Sequence, residues 1–449
     1  MKVAVTGGAG LLGTPVLRRL LADRKLKEIV CLDLRPPLVP LGRVRYERVD
    51  VRQPPDQLAA HFAGAASVVH LAAVVTGHLP RAELDAINVG GSRNVFRAAA
   101  LAGVEQVVYT SSLAAYGLVP GHATPIVEDA PRRRDPVLAY AASKYDVEDF
   151  LDDFEREHPG LAVVRLRPGI VVGARMENPL GSALRRGLMP GLDGMPMPAV
   201  WDEDVADAVG LAVSRRARGA FNLVADEPIT AREIARAAGL RLVGLPRPLA
   251  RLGARALAAA SRFGARAGAD PAWLMVPDDA DLRASNARAR EVLGWQPRCA
   301  TTADVFRRFV DTVPRRLDPR LALFFRFADL AARRQLLEEA RHMESRVHLQ
   351  LLGRRGGDIA IQVDRGRIRI RPGELPRPPT SVVRMPAEKF LELLAGRANF
   401  GTEQLTNRIL VEGQPEAAML VAGMIGTFRT RLPSWLRSGL RAASGSVRS

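Results

Sequence analysis

Tyr140 and Lys144 stand at i and i+4 in "YAASK", on one face of a helix. A phenol ionises near pH ~10, too high for base work at neutral pH. A lysine cation one turn away favours the phenolate and is expected to lower that value. Such a tyrosine can exchange a proton with a hydroxyl or carbonyl oxygen. A second hydroxyl must hold that oxygen, and Ser112, closing the run "VVYTSS", stands at the right place in the chain order.

Proton exchange at a carbonyl needs a hydride partner, and the amino terminus offers a place for one. "MKVAVTGGAGLLGTPVLRRLLA" reads strand, glycine turn, helix. Gly7, Gly10 and Gly13 form TGxxGxxG, with Leu11 and Leu12 between the last two glycines. Glycines permit the tight turn and let the backbone approach a pyrophosphate, to which a helix start offers free N–H groups. Asp33 ends the next apolar run, "EIVCLDL", at the distance expected for a carboxylate on the adenosine ribose hydroxyls. A carboxylate there repels a 2′-phosphate, so NAD is expected over NADP, although Arg35 lies close by.

These groups sit in a repeating framework. "SVVHLAA", "VEQVVYTSS" and "LAVVRLRPGIVVG" are further apolar, β-branched runs, separated by helical stretches such as "AINVGGSRNVFRAAALAG" and "YAASKYDVEDFLDDFERE". Short buried strands alternating with helices predict an α/β fold with a doubly wound parallel sheet. From Gly173 the order loosens, and a small substrate lobe is expected, mainly over residues 174–300. Around "VPRRLDP" the organisation breaks. Residues 314–333 read as a linker and amphipathic helix, residues 334–432 as a separate α+β domain, and residues 433–449 as a flexible tail. In that domain "IAIQVDRGRIRI" carries a β-hairpin signal, and Pro386 suits a first helical position and Gly396 a carboxyl-terminal cap, around a helix with Phe390, Leu393 and Leu394 on one face.

Composition narrows the setting. The 449 residues carry a formal charge of +17, with most of the excess after Pro314. The cations are nearly all arginine and are scattered, and there is no helix-turn-helix, zinc-finger or RNP pattern, which argues against a nucleic-acid partner. Two cysteines, Cys31 and Cys299, give neither a disulfide framework nor a metal site. The start runs directly into a strand, no apolar run approaches ~20 residues, and a cytoplasmic protein without a signal peptide is expected. Two basic amphipathic stretches, "LPRPLARLGARALAAASRFGARAG" and "RLALFFRFADLAARR", keep peripheral membrane contact open.

Residues 1–313 resemble the extended short-chain dehydrogenase/reductases, the NAD-dependent epimerase/dehydratase family. The resemblance rests on "TGGAGLLG", "HLAA", "INVGGSRNV", "TSSLAAYG", "YAASK", "RLRPGIVVG", "DEDVADAV" and "NARAREVLGWQP". It implies a Rossmann fold with NAD, a catalytic set of Ser112, Tyr140 and Lys144, and Asn88 supporting the lysine's proton relay. Asp50 and Val51 would flank the adenine, Leu71, Ala72 and Ala73 would line the cofactor, Tyr140 and Lys144 would contact it as well, and Pro168 would sit near the nicotinamide. His70 reads as a strand residue beside the cofactor, and a homodimer is a common family arrangement.

The departures from the family are informative. Dehydratases carry an acidic pair after the serines, where this chain has Leu113, Ala114 and Ala115. Sugar-nucleotide members place an arginine where this chain has "MPMPAVWDEDVA", with Met195, Met197 and Trp201, although Arg185 and Arg186 remain candidates for a phosphate. Residues 334–432 resemble the sterol carrier protein type 2 family, through the hairpin, "PAEKFLELLAGRANF" and "LTNRILVEGQPEAA". The expected function is therefore hydride transfer to or from a hydroxyl or carbonyl carbon of a hydrophobic, sterol- or isoprenoid-like substrate. A sugar-nucleotide epimerase or reductase, and a non-enzymatic NAD- or lipid-binding scaffold, are the alternatives.

Overall fold

The computed structural model describes residues 1–37, 41–75, 79–176, 178–191, 195–244, 248–249, 251–253, 256, 271–277, 279–313, 317–333, 344–353, 356–373, 379–406, 408–414 and 416–431. The chain divides into two compact units, one ending at Phe309 and the other beginning at Val310. Most of the first basic stretch, beyond Leu249, and the tail 433–449 lie outside the described residues.

The first unit is built on a seven-stranded sheet. Its strands are β1 (Lys2–Thr6), β2 (Glu28–Asp33), β3 (Val44–Arg48), β4 (Ala65–His70), β5 (Gln106–Thr110), β6 (Ala162–Pro168) and the edge strand Gly219–Leu223. In space they run Gly219–Leu223, β6, β5, β4, β1, β2, β3, and every pairing is parallel. This is the Rossmann-like arrangement, with the chain reversing its direction of travel between β1 and β4. Alternation splits the strand residues between two cores. Val3, Val5 and Cys31 face the helices Gly13–Leu21 and Asp202–Arg215, while Ala4, Val30 and Leu32 face Pro55–Phe62, Ser92–Leu101 and Ala139–Glu157. Helices on both faces explain why the central strands are unbroken apolar runs.

Three details depart from the sequence reading. The polar stretch "VRYER" is strand β3, an edge strand in which Val44 and Tyr46 face the core only half-buried, among charged neighbours. The run Leu161–Gly173 is two strands, because the chain changes sheets at Gly169. The Gly169 N–H goes to Leu223 O in the large sheet, and that of Ile170 goes to Pro198 O beside the pair Ile170–Val172 and Ala199–Trp201. A Cβ at Gly169 would lie 2.5 Å from Pro198 O. The expected lobe over 174–300 is also not continuous. Val205, Val209 and Val213 pack helix Asp202–Arg215 onto the large sheet, and Gly219–Leu223 joins its edge.

The second unit is a five-stranded mixed sheet in the order Arg367–Pro372, Gly357–Asp364, Glu344–Leu352, Ser381–Pro386, Leu410–Gly413. The hairpin turns at Arg365 and Gly366, with φ of 47° and 82°, as a type I′ turn requires. Ile359, Ile361, Val363, Ile368 and Ile370 point inward, and Arg367, Arg369 and Arg371 point outward. Pro386 closes a strand, so the helix begins at Ala387, one position later than expected, and Gly396 adopts φ 73° just past its end. Helix Pro319–Arg333, read from sequence as lying between domains, is part of this unit's core. Phe324 and Phe325 are buried, and Phe325 stacks on Phe390 at 5.3 Å. Only the outer side of that helix, with Leu323, Phe327 and Leu330, stays exposed. Phe325→Ala should cost this unit about 3–5 kcal/mol. Hydrogen exchange should then show faster exchange in the five-stranded sheet and unchanged protection in the seven-stranded one.

Candidate functional site

The glycine turn lies at the carboxyl end of β1, where a doubly wound sheet opens its ligand crevice. Gly7 has φ 75°, and a Cβ there would lie 2.5 Å from the Ala72 nitrogen. Ala72 thereby closes one side of the turn, and Leu71 N–H is tied to Thr6 O. Gly13 is held as tightly, since its Cβ would meet Gly8 O at 2.0 Å. Gly10 is more forgiving, with its nearest neighbour at 3.2 Å. Behind the turn, a Cβ on Gly8 would sit 2.4 Å from the Cys31 sulfur. Leu12 starts helix Gly13–Leu21, whose first turn has no side-chain cap and no acidic residue. Asp33 accepts hydrogen bonds from Ala9 N and Arg35 N, both at 3.0 Å, so its carboxylate is fixed against the turn. The Arg175 guanidinium donates to Thr14 Oγ1 in the first helical turn. An uncapped helix start, an arginine at its first turn and an anchored carboxylate at the next strand end fit a dinucleotide. Asp50 is bound by Arg52, which holds its carboxyl below the usual range, and Val51 is buried against Gly91.

The expected proton-transfer residues converge on the ends of β4, β5 and the start of helix Ala139–Glu157. Ser112 follows β5 and accepts from Ala114 N at 3.1 Å. Lys144 is buried; its Nζ donates to Thr110 O at 2.8 Å and to Tyr109 Oη at 3.1 Å, and lies 5.8 Å from the Tyr140 ring centre. Asn88 lies in a π-helical stretch, Ala86–Gly91, a distortion often found at functional sites. Its amide bonds Val74 N, Val74 O and Ser143 Oγ, and Ser143 in turn bonds Tyr140 O. Pro168 ends β6 opposite Leu223 and is buried.

The electrostatics correct one expectation. Burial pushes the Tyr140 phenol up to about 12, against a smaller downward pull from Ser112. The lysine does not lower it, because desolvation pushes the Lys144 amine itself down to about 7, with Glu148 opposing. Two groups drawn from water together weaken the very charge that was to act between them.

The residues that sequence reasoning missed lie one layer deeper. Glu148 follows Lys144 by one turn and is fully buried. It accepts from Ser111, Arg132 and Arg167. Arg167 also donates to Tyr116 Oη at 2.7 Å and Glu128 O at 2.8 Å. His70 is neutral, its value pushed down to about 3 by burial and the nearby Lys144. It lies between Thr6 Oγ1 at 2.7 Å and Ser92 Oγ at 2.9 Å. The i+4 spacing of Lys144 and Glu148 was a usable signal; the partners of His70 were not readable from spacing. Cys31 and Cys299 are buried thiols pushed up to about 12 and about 11, poor nucleophiles.

Tyr140 and Met195 pack against an apolar cluster of Ala114, Leu118, Leu138, Ala141, Val276 and Ala280. Met197 instead bridges Ile229. Arg185 donates to Ala174 O and Met176 O and lies over the Phe309 ring, while Arg186 is exposed.

The sequence profile of the NAD dependent epimerase/dehydratase family matches residues 3–219. A UDP-glucose 4-epimerase of Mycolicibacterium smegmatis is 31% identical over 336 residues, covering 67% of this chain and 95% of that one. The chain belongs to the NAD dependent epimerase/dehydratase family. It is an enzyme of the short-chain dehydrogenase/reductase type, and its cofactor is NAD. The solved Thermus thermophilus UDP-glucose 4-epimerase in complex with NAD is 27% identical, with a TM-score of 0.52 over 68% of this chain and 97% of that one. Over a shorter stretch, the human 3 beta-hydroxysteroid dehydrogenase type 7 is 39% identical across 122 residues, 25% of this chain and 33% of its own. None of the described helices is long and apolar enough to cross a membrane.

Two outcomes follow. Asp33→Ala should weaken NAD binding and narrow the preference over NADP, as read by titration calorimetry; unchanged NAD affinity would rule out the ribose contact. Glu148→Gln should cost about 3–5 kcal/mol at neutral pH, because buried cations lose their counter-charge. The Glu148 carboxyl is held down at about 2, mainly by Arg167 working against burial. Its contribution is therefore complete at neutral pH, fades below the ordinary glutamate range and is gone by about 2. The gap between the two proteins in urea denaturation should shrink over that window.

Proposed function

We propose that the first unit is an NAD-dependent oxidoreductase acting on a hydroxyl or carbonyl carbon of a hydrophobic, sterol- or isoprenoid-like substrate. The observation that carries this reading is the apolar cluster on which Tyr140 packs. Met195 belongs to the same wall, and a methionine there suits a flexible apolar ligand. Arg185, one of the two candidates for a substrate phosphate, is engaged with backbone carbonyls. In this reading Tyr140 exchanges the proton with the substrate oxygen and Ser112 holds that oxygen by a hydrogen bond. Lys144 replenishes the proton, and Asn88 braces the helix start through Ser143. The glycine turn with Leu11 and Leu12, Asp33, Asp50, Val51, Leu71, Ala72, Ala73 and Pro168 would hold NAD, which supplies the hydride acceptor. The steroid dehydrogenase relative favours the same class of substrate.

A second reading has its own support. The relative that spans most of this chain, and the solved structure quoted with it, are UDP-glucose 4-epimerases. In that case the hydride would return to the same carbon from the other face, with no net NADH.

The second unit is proposed as a sterol-carrier-like domain that holds an apolar chain. Its support is an apolar cavity of about 10 Å³ lined by Phe324, Phe325, Leu349, Ile361, Phe390, Val421, Met424 and Ile425. A ligand would have to widen it by turning these side chains, and Met424 is the most adaptable of them.

Native mass spectrometry of the purified protein, followed by NADH detection with whatever co-purifies, separates the readings. A bound lipid that yields NADH supports the first, whereas a nucleotide sugar epimerised without NADH overturns it. Tyr140→Phe should lower kcat about 10²–10⁴-fold while leaving NAD affinity intact.

A further inference from the structure

We infer that Tyr109 is a positioning residue that holds the Lys144 amine against β5 and reserves one of its hydrogens for the Tyr140 side. This rests on the proposed pairing of Tyr140 with Lys144.

The inference comes from following each hydrogen through a buried chain. Ser92 Oγ donates to Asn88 O at 2.6 Å, and a carbonyl can only accept. The single Ser92 hydrogen is thus committed. His70 Nε2, 2.9 Å from Ser92 Oγ, must then be the donor of that contact. A neutral imidazole with its hydrogen on Nε2 accepts on Nδ1, where Thr6 Oγ1 stands at 2.7 Å. Lys144 Nζ, as an ammonium, has nothing to accept on, so the Tyr109 phenol oxygen at 3.1 Å accepts from it. The Thr110 carbonyl, at 2.8 Å, is likewise only an acceptor. Two of the three ammonium hydrogens are fixed on β5, and the third is the one left to exchange.

Tyr109 has no freedom to escape this duty. It is 1% exposed, stacked on His70 at 5.5 Å and edge-on to Phe96 at 5.7 Å. Burial also pushes its phenol well up, so it stays protonated and cannot replace the amine as a base. The other titratable groups facing Lys144 are Glu148 on its own helix, Tyr140 and the neutral His70. Glu148 supports the ammonium by charge, and Tyr109 supports it by accepting a hydrogen.

The chain has five lysines, so protein labelled at lysine Cε gives a countable NMR spectrum, with the Lys144 signal identified by its loss in Lys144→Met. Tyr109→Phe removes one acceptor from the ammonium and should lower the Lys144 titration midpoint by about one pH unit, leaving the other four signals in place. An unmoved midpoint in folded Tyr109→Phe overturns the inference. If that variant does not fold, Tyr109→Met serves instead. It fills the same space with an adaptable chain that lacks an oxygen acceptor, so the midpoint should also fall, and an unmoved one overturns the inference. The readout needs no substrate, so it can fail while Tyr140→Phe still lowers kcat, and the reverse also holds.

Discussion

One face of helix Ala139–Glu157 carries a buried ammonium and a buried carboxylate one turn apart, and each must find partners inside the protein. Lys144 takes the end of β5. Glu148 takes Ser111 just beyond it, Arg167 from β6 and Arg132 from the loop before the helix. Arg167 then fixes Tyr116 and the Glu128 carbonyl, and Asn222 of the edge strand joins Tyr116 and the Glu128 carboxylate. Two strands, a loop and a sheet edge are thus drawn to one helix by the need to satisfy two charges.

That arrangement explains the uneven legibility of the chain. Features governed by local geometry were readable. The glycine turn, the strand-end Asp33 and the Tyr140–Lys144 spacing depend on neighbours a few residues away, and strands buried on both faces announce themselves as apolar runs. Features governed by distant partners were not. The fall in the Lys144 value follows from desolvation by elements far along the chain, and the raised Tyr140 phenol has the same origin. Strand β3 was hidden because its two inward residues, Val44 and Tyr46, are only half-buried and stand among charged ones. The sheet switch at Gly169 was hidden because Pro168 and Gly169 sit inside one continuous apolar run.

The second unit shows the converse. Its alternation was plain, and the hairpin turns at the residues that the pattern marked. The aromatic cluster of helix Pro319–Arg333 divides, with Phe324 and Phe325 inward and Phe327 outward. Composition alone could not tell a core helix from one seeking another surface. The inward pair, with Phe390, builds one wall of the small cavity, so the packing of this unit and its proposed capacity for a ligand depend on the same three rings.

The sulfur of Cys31 occupies the space that a side chain at position 8 would need. Neither residue is then free to vary alone. An alanine at position 8 becomes admissible only alongside something smaller than cysteine at position 31, and a bulkier residue at 31 would press on the turn itself. Positions 8 and 31 should therefore drift as a matched pair, so a redesign of the nucleotide end must treat the second strand's sulfur as part of the loop.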